Sequence, residues 1–307
     1  MLEVRNLQYQ YSDETEFALD VPSWSCSEGA RVAIVGRSGS GKTTFLKCLA
    51  GLLQPGEGEI LWRDERVKGA EERLVPGNDK IKLVRQDFGQ DPHMKVVENL
   101  RKYILSHDDD ARADRIKKWL NELEISNLEQ RKAKHLSGGQ LQRVALAQTL
   151  LAEPEVLLMD EPFSNLDPVH KHDFIPALRE LFAKEKMTTI SVMHDPVDAL
   201  RIADQIVVFQ DGQIIESGTS EEIFRNPKNL ETARLFGLIS VLSVEQNNAF
   251  FNHPLDKVVL DKKVWFRPNE VVLSNVKAKY TVQRKLPMPG ANWIEIEIDG
   301  KLIVVSE

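Results

Sequence analysis

Apolar residues recur along this chain with two periods, and the alternation between them divides it into elements. Leu2-Glu3-Val4-Arg5 alternates, Phe17-Ala18-Leu19-Asp20-Val21 runs up to Pro22, and Arg31-Val32-Ala33-Ile34-Val35 is nearly all apolar, so the first part reads as short strands. Phe45-Leu46-Lys47-Cys48-Leu49 opens a helix. The turn cluster Gln54-Pro55-Gly56-Glu57-Gly58 leads to a strand at Glu59-Ile60-Leu61-Trp62, and 63–80 reads as polar loop. Ile81-Lys82-Leu83-Val84-Arg85 alternates and ends at Gln86. Between about 88 and 150 the helical period dominates, with Ile116, Trp119, Leu120 and Leu123 on one stripe and Lys117, Lys118 and Glu122 on the solvated side.

Val156-Leu157-Leu158-Met159 is wholly apolar, as in a buried parallel strand. Residues 188–193 form a β-branched strand ending at His194, followed by Asp195 as helix cap and Pro196 in the first helical position. Two runs, 205–210 and 213–216, flank Asp211-Gly212, a hairpin signal. Residues 220–236 read as amphipathic helix. Beyond Gly237 the texture is all-β: Trp293-Ile294-Glu295-Ile296-Glu297-Ile298 alternates and turns at Asp299-Gly300 into Lys301-Leu302-Ile303-Val304-Val305. Short strands of this kind suggest a small barrel. The expected division is 1–234, with a helical subdomain at about 88–150, and 235–307.

The 307 residues are 42% hydrophobic and 28% charged, which suits a soluble globular chain with a real core. No apolar run approaches the roughly 20 residues of a membrane helix, and the N-terminus lacks a signal-peptide layout. Cys26 and Cys48 alone argue against a disulfide scaffold and for a reducing compartment. A net charge of −7 argues against general affinity for nucleic acid or anionic lipid.

Chemistry concentrates at a few places. Gly36-Arg37-Ser38-Gly39-Ser40-Gly41-Lys42-Thr43-Thr44 lies between a strand and a helix, the context of a phosphate-binding loop. Its glycines let backbone N–H groups converge, and the helix N-terminus adds positive potential. Lys42 reaches β- and γ-phosphates, and the Thr43 hydroxyl ligates Mg²⁺. Ser137-Gly138-Gly139-Gln140 precedes another helix as a second anion site, with adjacent glycines that a plain cap does not explain. Asp160 and Glu161 stand at the carboxyl end of a strand, where α/β sheets place ligand groups. Asp160 suits Mg²⁺, and Glu161 can polarise a water for attack on a γ-phosphate. His194 shares that sheet edge and can donate to the γ-phosphate. Gln86 reads either as a metal or water contact there or as a surface glutamine. One of Tyr9 and Tyr11 could stack on adenine, although spacing alone favours packing in the sheet. The other six histidines, His170 and His172 included, read as surface residues.

In this order the motifs closely resemble the nucleotide-binding subunit of ABC transporters, over about residues 1–232. The resemblance identifies Walker A at 36–44, the Q-loop at Gln86, the signature at Leu136-Ser137-Gly138-Gly139-Gln140 and Walker B at Asp160 and Glu161. It also identifies the D-loop at Ser164-Asn165-Leu166-Asp167 and the switch histidine at His194. Tyr11 falls where the family has its adenine-stacking aromatic, which reverses the reading from spacing. Asn165 departs from the small residue more frequent there. The resemblance implies an α/β P-loop NTPase, the ABC cassette with helical subdomain, followed by a small all-β, barrel-like domain.

It further implies ATP and Mg²⁺, and a head-to-tail homodimer with two ATP molecules between the subunits. Ser137 and Gly139 of one subunit would then cap the γ-phosphate held by Lys42 of the other. Glu161 is the implied general base and His194 the γ-phosphate contact. Gln86 is the implied Mg²⁺ and water contact that senses the membrane subunit, and Asp167 links the two sites. Residues 91–99 resemble the segment that importer ATPases present to a permease coupling helix. Phe266-Arg267-Pro268-Asn269-Glu270-Val271-Val272-Leu273 is similar to the TOBE-like accessory domain of importers for inorganic anions, ferric iron, polyamines and sugars, in a shortened form. The expectation is the ATP-hydrolysing subunit of an importer at the cytoplasmic face of the cell membrane. Transmembrane permease subunits and, indirectly, a solute-binding protein are its expected partners, and nucleic acid is not. An exporter ATPase is the alternative. Chromosome-type ATPases carry coiled-coil insertions and translation-type proteins pair two cassettes; this chain has neither.

Overall fold

A helix held between two sheets fixes the start of the chain. The computed structural model describes residues 1–11, 19–84, 89–104, 109–252, 255, 258–259, 263–271, 280–288, 291–298 and 300–306. They form two compact units, Met1–Ser220 and Glu221–Glu307. In the first unit the chain runs β1 (Leu2–Tyr9), β2 (Leu19–Cys26), β3 (Arg31–Gly36), α1 (Lys42–Leu49), β4 (Glu57–Trp62), β5 (Glu65–Arg66) and β6 (Ile81–Val84). It continues through α2 (Val96–Arg101), α3 (Asp109–Glu122), α4 (Gly138–Leu151), β7 (Val156–Asp160), α5 (Pro168–Lys184), β8 (Thr188–Val192), α6 (Pro196–Ile202), β9 (Gln205–Gln210) and β10 (Gln213–Thr219).

One sheet is antiparallel, in the order β2-β1-β4-β5. The other has the order β10-β9-β3-β8-β7-β6 and is parallel except for the β9–β10 hairpin. α1 packs between them: Phe45, Leu46 and Leu49 are completely buried among Leu7, Trp24, Ile34 and Ile190. Trp24 and Phe209 meet the Phe45 ring at 5.7 and 5.1 Å. Each such side chain contributes roughly 1.5–3 kcal/mol on burial, so the helix after the glycine loop is anchored in the core.

Pro22 does not end the second strand as its sequence suggests. It lies inside β2, an edge strand, opposite an irregular stretch of β1 where Asn6 has φ 47°. An edge strand tolerates a residue without an N–H. The expected loop 63–80 contains β5, and α4 begins at Gly138, inside the stretch read as preceding it, because Ser137 caps it. In the helical part, Asn99 is 1% exposed, accepts the Asp91 N–H at 2.8 Å and donates to the Asp91 carbonyl at 3.1 Å. That pair closes the segment 91–99 on itself.

The second unit contains α7 (Ser220–Arg225) from its second residue on, α8 (Leu230–Leu235), β11 (Ser240–Ser243), α9 (Val244–Phe250), β12 (Val258–Val259) and β13 (Lys263–Phe266). β14 (Thr281–Met288), β15 (Ala291–Ile298) and β16 (Lys301–Ser306) follow. The helix expected over 220–236 is broken in two around Pro227, which disfavours helical geometry in the residue before it. Ala233 of α8 packs on Trp265 of β13. The expected all-β texture is interrupted by α9, capped by Ser243, whose hydroxyl accepts the Gln246 N–H at 3.2 Å. Two three-stranded antiparallel sheets, β11-β13-β12 and β14-β15-β16, share a core of Leu242, Phe250, Phe266, Ile294, Ile296 and Ile303. The Ser240 hydroxyl joins them by accepting the Val304 N–H at 2.8 Å.

Candidate functional site

Because β3, β8 and β7 are adjacent and parallel, their carboxyl ends share one edge. β3 delivers Gly36 to that edge, β7 delivers Asp160, and the turn after β8 delivers His194. Two main-chain bonds knit the exits together: Glu161 N–H donates to Val192 at 3.0 Å, and Met193 N–H to Ile34 at 2.9 Å. Gln86, just after β6, lies outside the described residues.

The glycine loop is braced from behind by the β9–β10 hairpin. A Cβ on Gly36 would lie 2.2 Å from the Phe209 carbonyl oxygen, so only glycine allows this approach. Gly212 N–H donates to the Ser40 carbonyl at 3.0 Å. Asp211 and Gly212, both with positive φ, form the tight turn that their sequence predicts. Gly41 caps α1 in left-handed conformation at φ 97°. Arg37, Ser38 and Gly39 are exposed at the crest, whereas Ser40 and Lys42 are buried. The Lys42 ammonium donates to the carbonyls of Gly36 and Arg37 at 2.9 and 2.7 Å and to Ser40 Oγ at 3.3 Å. Burial lowers the Lys42 pKa, and the Glu161 and Asp160 carboxylates oppose that shift.

Thr43 Oγ1 donates to Asp160 Oδ1 at 3.3 Å. Burial raises the Asp160 pKa, and the Thr43 hydrogen bond works against it. A buried carboxylate beside a hydroxyl fits a divalent cation with oxygen ligands. Thr44 shares a hydrogen bond with the Tyr11 hydroxyl at 2.9 Å. Tyr11 is 38% exposed and meets the Tyr9 ring edge-on at 4.9 Å. The aromatic expected at the nucleotide base is thus tied to the first turn of α1.

Glu161 has φ 49°, an uncommon conformation for a non-glycine residue, and its carbonyl accepts the Ser164 hydroxyl at 3.0 Å. Its side chain lines a cavity of about 330 Å³ with His194, Asp195, Lys171 and Asp198. Lys171 and Asp198 pair at 2.8 Å and tie α5 to α6. Asp195 caps α6 by accepting the Val197 N–H at 2.8 Å, as its sequence predicts.

Ser137, Gly138, Gly139 and Gln140 line a separate cavity of about 300 Å³ with Asn165, Asp167 and His170. Ser137 Oγ accepts the Gln140 N–H at 3.3 Å, and Gln140 Oε1 accepts the Ser137 N–H at 3.1 Å. This reciprocal cap holds the start of α4. A Cβ on Gly139 would meet Leu166 Cδ2 at 2.4 Å, so the glycine pair is where segment 164–167 packs. Among the described residues, the two cavities have no lining residue in common.

Sequence reading missed two groups. Phe209 and Gly212 brace the glycine loop, and nothing in their own run signals it. His170, read as a plain surface residue, has Nδ1 2.6 Å from Asp167 Oδ2; its position three residues after a capping aspartate was the available signal.

The ABC transporter family model matches residues 19–164. The molybdate/tungstate import ATP-binding protein WtpC of Pyrococcus horikoshii is 32% identical over 283 residues, 89% of this chain and 79% of that protein. The chain belongs to the ABC transporter family. Another ABC transporter relative, the Fe(3+) ions import ATP-binding protein FbpC of Mesorhizobium japonicum, is 34% identical, covering 89% of this chain and 77% of that protein. A solved dimeric ATP-binding cassette in a post-hydrolysis state, bound to ADP and Pi, matches with TM-score 0.63 at 29% identity. The match covers 72% of this chain and 99% of that one. The expected ABC cassette fold is therefore borne out, and the chain is an ATP-hydrolysing transport ATPase of this family.

Proposed function

We propose that this chain is the ATP-binding and hydrolysing subunit of an importer, working as a head-to-tail homodimer beneath membrane permease subunits. The observation that carries the reading is Lys42, bonded to its own loop carbonyls, next in sequence to the Thr43 that bonds Asp160, at the sheet edge where Glu161 and His194 line one cavity. Importer-type relatives aligned over most of the chain favour import over export. Residues 1–234 are assigned to the ATP-binding cassette and 235–307 to a TOBE-like accessory domain.

In this reading Tyr11 stacks on adenine, while loop residues 36–44 and the N-terminus of α1 cradle the phosphates. Lys42 exchanges its loop carbonyls for β- and γ-phosphate oxygens, which restores the charge partners that burial denies it. The Thr43 hydroxyl and the Asp160 carboxylate, with Gln86, would hold Mg²⁺, which when bound neutralises charge on the phosphate oxygens. Glu161 takes the proton of the attacking water, and His194 donates to a γ-phosphate oxygen. Ser137 and Gly139 of the second copy close the site from the other side, with Asp167 between the two. That a solved relative of the cassette is dimeric supports the pairing of two copies. The permease subunits would hold the chain at the cytoplasmic face of the membrane, with a solute-binding protein acting through them. The permease and solute-binding protein would choose the solute; relatives for molybdate/tungstate and for ferric iron are about equally similar to this chain.

Glu161→Gln tests the reading. It should bind ATP as the parent does, lose about 10²- to 10⁴-fold in turnover and accumulate as an ATP-bound dimer in size-exclusion chromatography. Turnover at the parental rate would remove Glu161 from the role of base.

A further inference from the structure

We propose that His170 is a positioning residue for the ATPase reaction, holding the Asp167 carboxylate in its working orientation at the wall of the Ser137–Gly139 cavity. The inference rests on the function proposed above and adds a residue to it. Asp167 caps α5: its Oδ1 accepts the N–H groups of Val169 and His170 at 3.1 and 3.0 Å. Those bonds satisfy the cap and leave Oδ2 unconstrained by the main chain. His170 Nδ1 meets that second oxygen at 2.6 Å. In a capping box the third helical residue reaches back to the backbone N–H of the cap residue. Here it reaches the side chain instead, so its effect is on where the carboxylate points.

Both side chains are more than half exposed, 68% for His170 and 58% for Asp167. An exposed pair of this kind adds little to stability. The contact is therefore poorly explained as a fold-stabilising one, whereas its position is informative: both residues line the cavity that contains Ser137, Gly138 and Gly139. The Asp167 carboxyl is held below the usual carboxylate range, first by the His170 N–H and then by the His170 ring. It is thus favoured as the anion at the cavity wall.

Turnover, KM for ATP and thermal midpoint should be measured on the full chain for the parent, His170→Leu, His170→Asn, Asp167→Asn and the double variant Asp167→Asn/His170→Leu. His170→Leu should lower kcat about five- to tenfold with KM changed less than about twofold, and leave the thermal midpoint within about 2 °C. His170→Asn places an amide N–H where Nδ1 stood and should recover turnover to within about twofold. The double variant should be no slower than Asp167→Asn alone, because both changes act through one carboxylate. Parental or faster turnover in His170→Leu, an Asn variant as impaired as the Leu variant, or multiplying effects in the double variant would each overturn the proposal. A parent chain without ATPase activity would instead remove the function on which it rests.

Discussion

Gly36 and Phe209 approach so closely that a Cβ on the glycine would lie 2.2 Å from the phenylalanine carbonyl oxygen. That oxygen belongs to a buried strand paired with β3, so it cannot move aside. At Gly39, with φ +80°, an added Cβ would meet nothing within 4 Å. Two alanine substitutions in one loop should therefore differ sharply. Gly39→Ala should cost only left-handed strain, about 1–2 kcal/mol. Gly36→Ala should cost about 3 kcal/mol or more and abolish ATP binding, because the loop must leave its brace. Urea unfolding of the two variants decides it: equal stabilities would mean that the hairpin does not brace the loop.

Thr43 and Asp160 form the second contact that can be tested directly. The hydroxyl and the carboxylate come from α1 and β7, and only parallel pairing through β8 brings them to 3.3 Å. Asp160→Asn keeps the shape and removes the charge. ATP affinity should fall about tenfold or more in Mg²⁺ and change little in EDTA. Calorimetric titration under both conditions gives the comparison, and equal losses in the two would argue against a cation at this pair.

Much of this was legible because phosphate chemistry constrains neighbours in sequence. The strand, loop and helix of 31–49 declare themselves, and so do the strand ends carrying Asp160 and His194. The hairpin at Asp211-Gly212 was legible as a turn but not as a support, since its partner Ser40 lies far away in the chain. The packing of Gly139 on Leu166 was hidden for the same reason. The break between α7 and α8 was a misread period: Phe224 of α7 meets Phe236, the residue just after α8, at 6.1 Å between rings, so the two apolar positions belong to separate turns rather than to one helix. α9 went unseen because a short, polar helix capped by Ser243 carries little periodicity.

Tyr11 offers a way to separate stacking from anchoring. Tyr11→Phe removes the bond to Thr44 and keeps the ring; Tyr11→Ala removes both. Loss of base stacking is worth about 1–3 kcal/mol, so the alanine variant should bind ATP roughly five- to 150-fold more weakly. The phenylalanine variant should stay within about fivefold of the parent, since a net hydrogen bond contributes about 1 kcal/mol. Unchanged affinity in Tyr11→Ala, measured by titration with a fluorescent ATP analogue, would exclude Tyr11 from the base site.

Cys26 and Cys48 give a prediction on the alkaline side. Both are free and buried, and burial pushes each thiol up to about 12. In the unfolded chain the same groups ionise near 8.5. Over the interval between those values the native state holds protons that the unfolded state has lost, so stability contributed by the neutral thiols is complete below about 8.5 and declines as pH rises toward about 12. A Cys26→Ala/Cys48→Ala variant loses packing volume but also loses this dependence. Its urea midpoint should start lower than the parent's at pH 7.5 and converge on it by pH 10.5. Native thiols should likewise resist iodoacetamide at pH 8 and react fully in denaturant, because the thiolate is the nucleophile and neither sulfur is open to solvent. Parallel pH profiles for the two proteins, or rapid native labelling of Cys48, would show that α1 opens near the glycine loop far more readily than its packing against Phe209 and Trp24 implies.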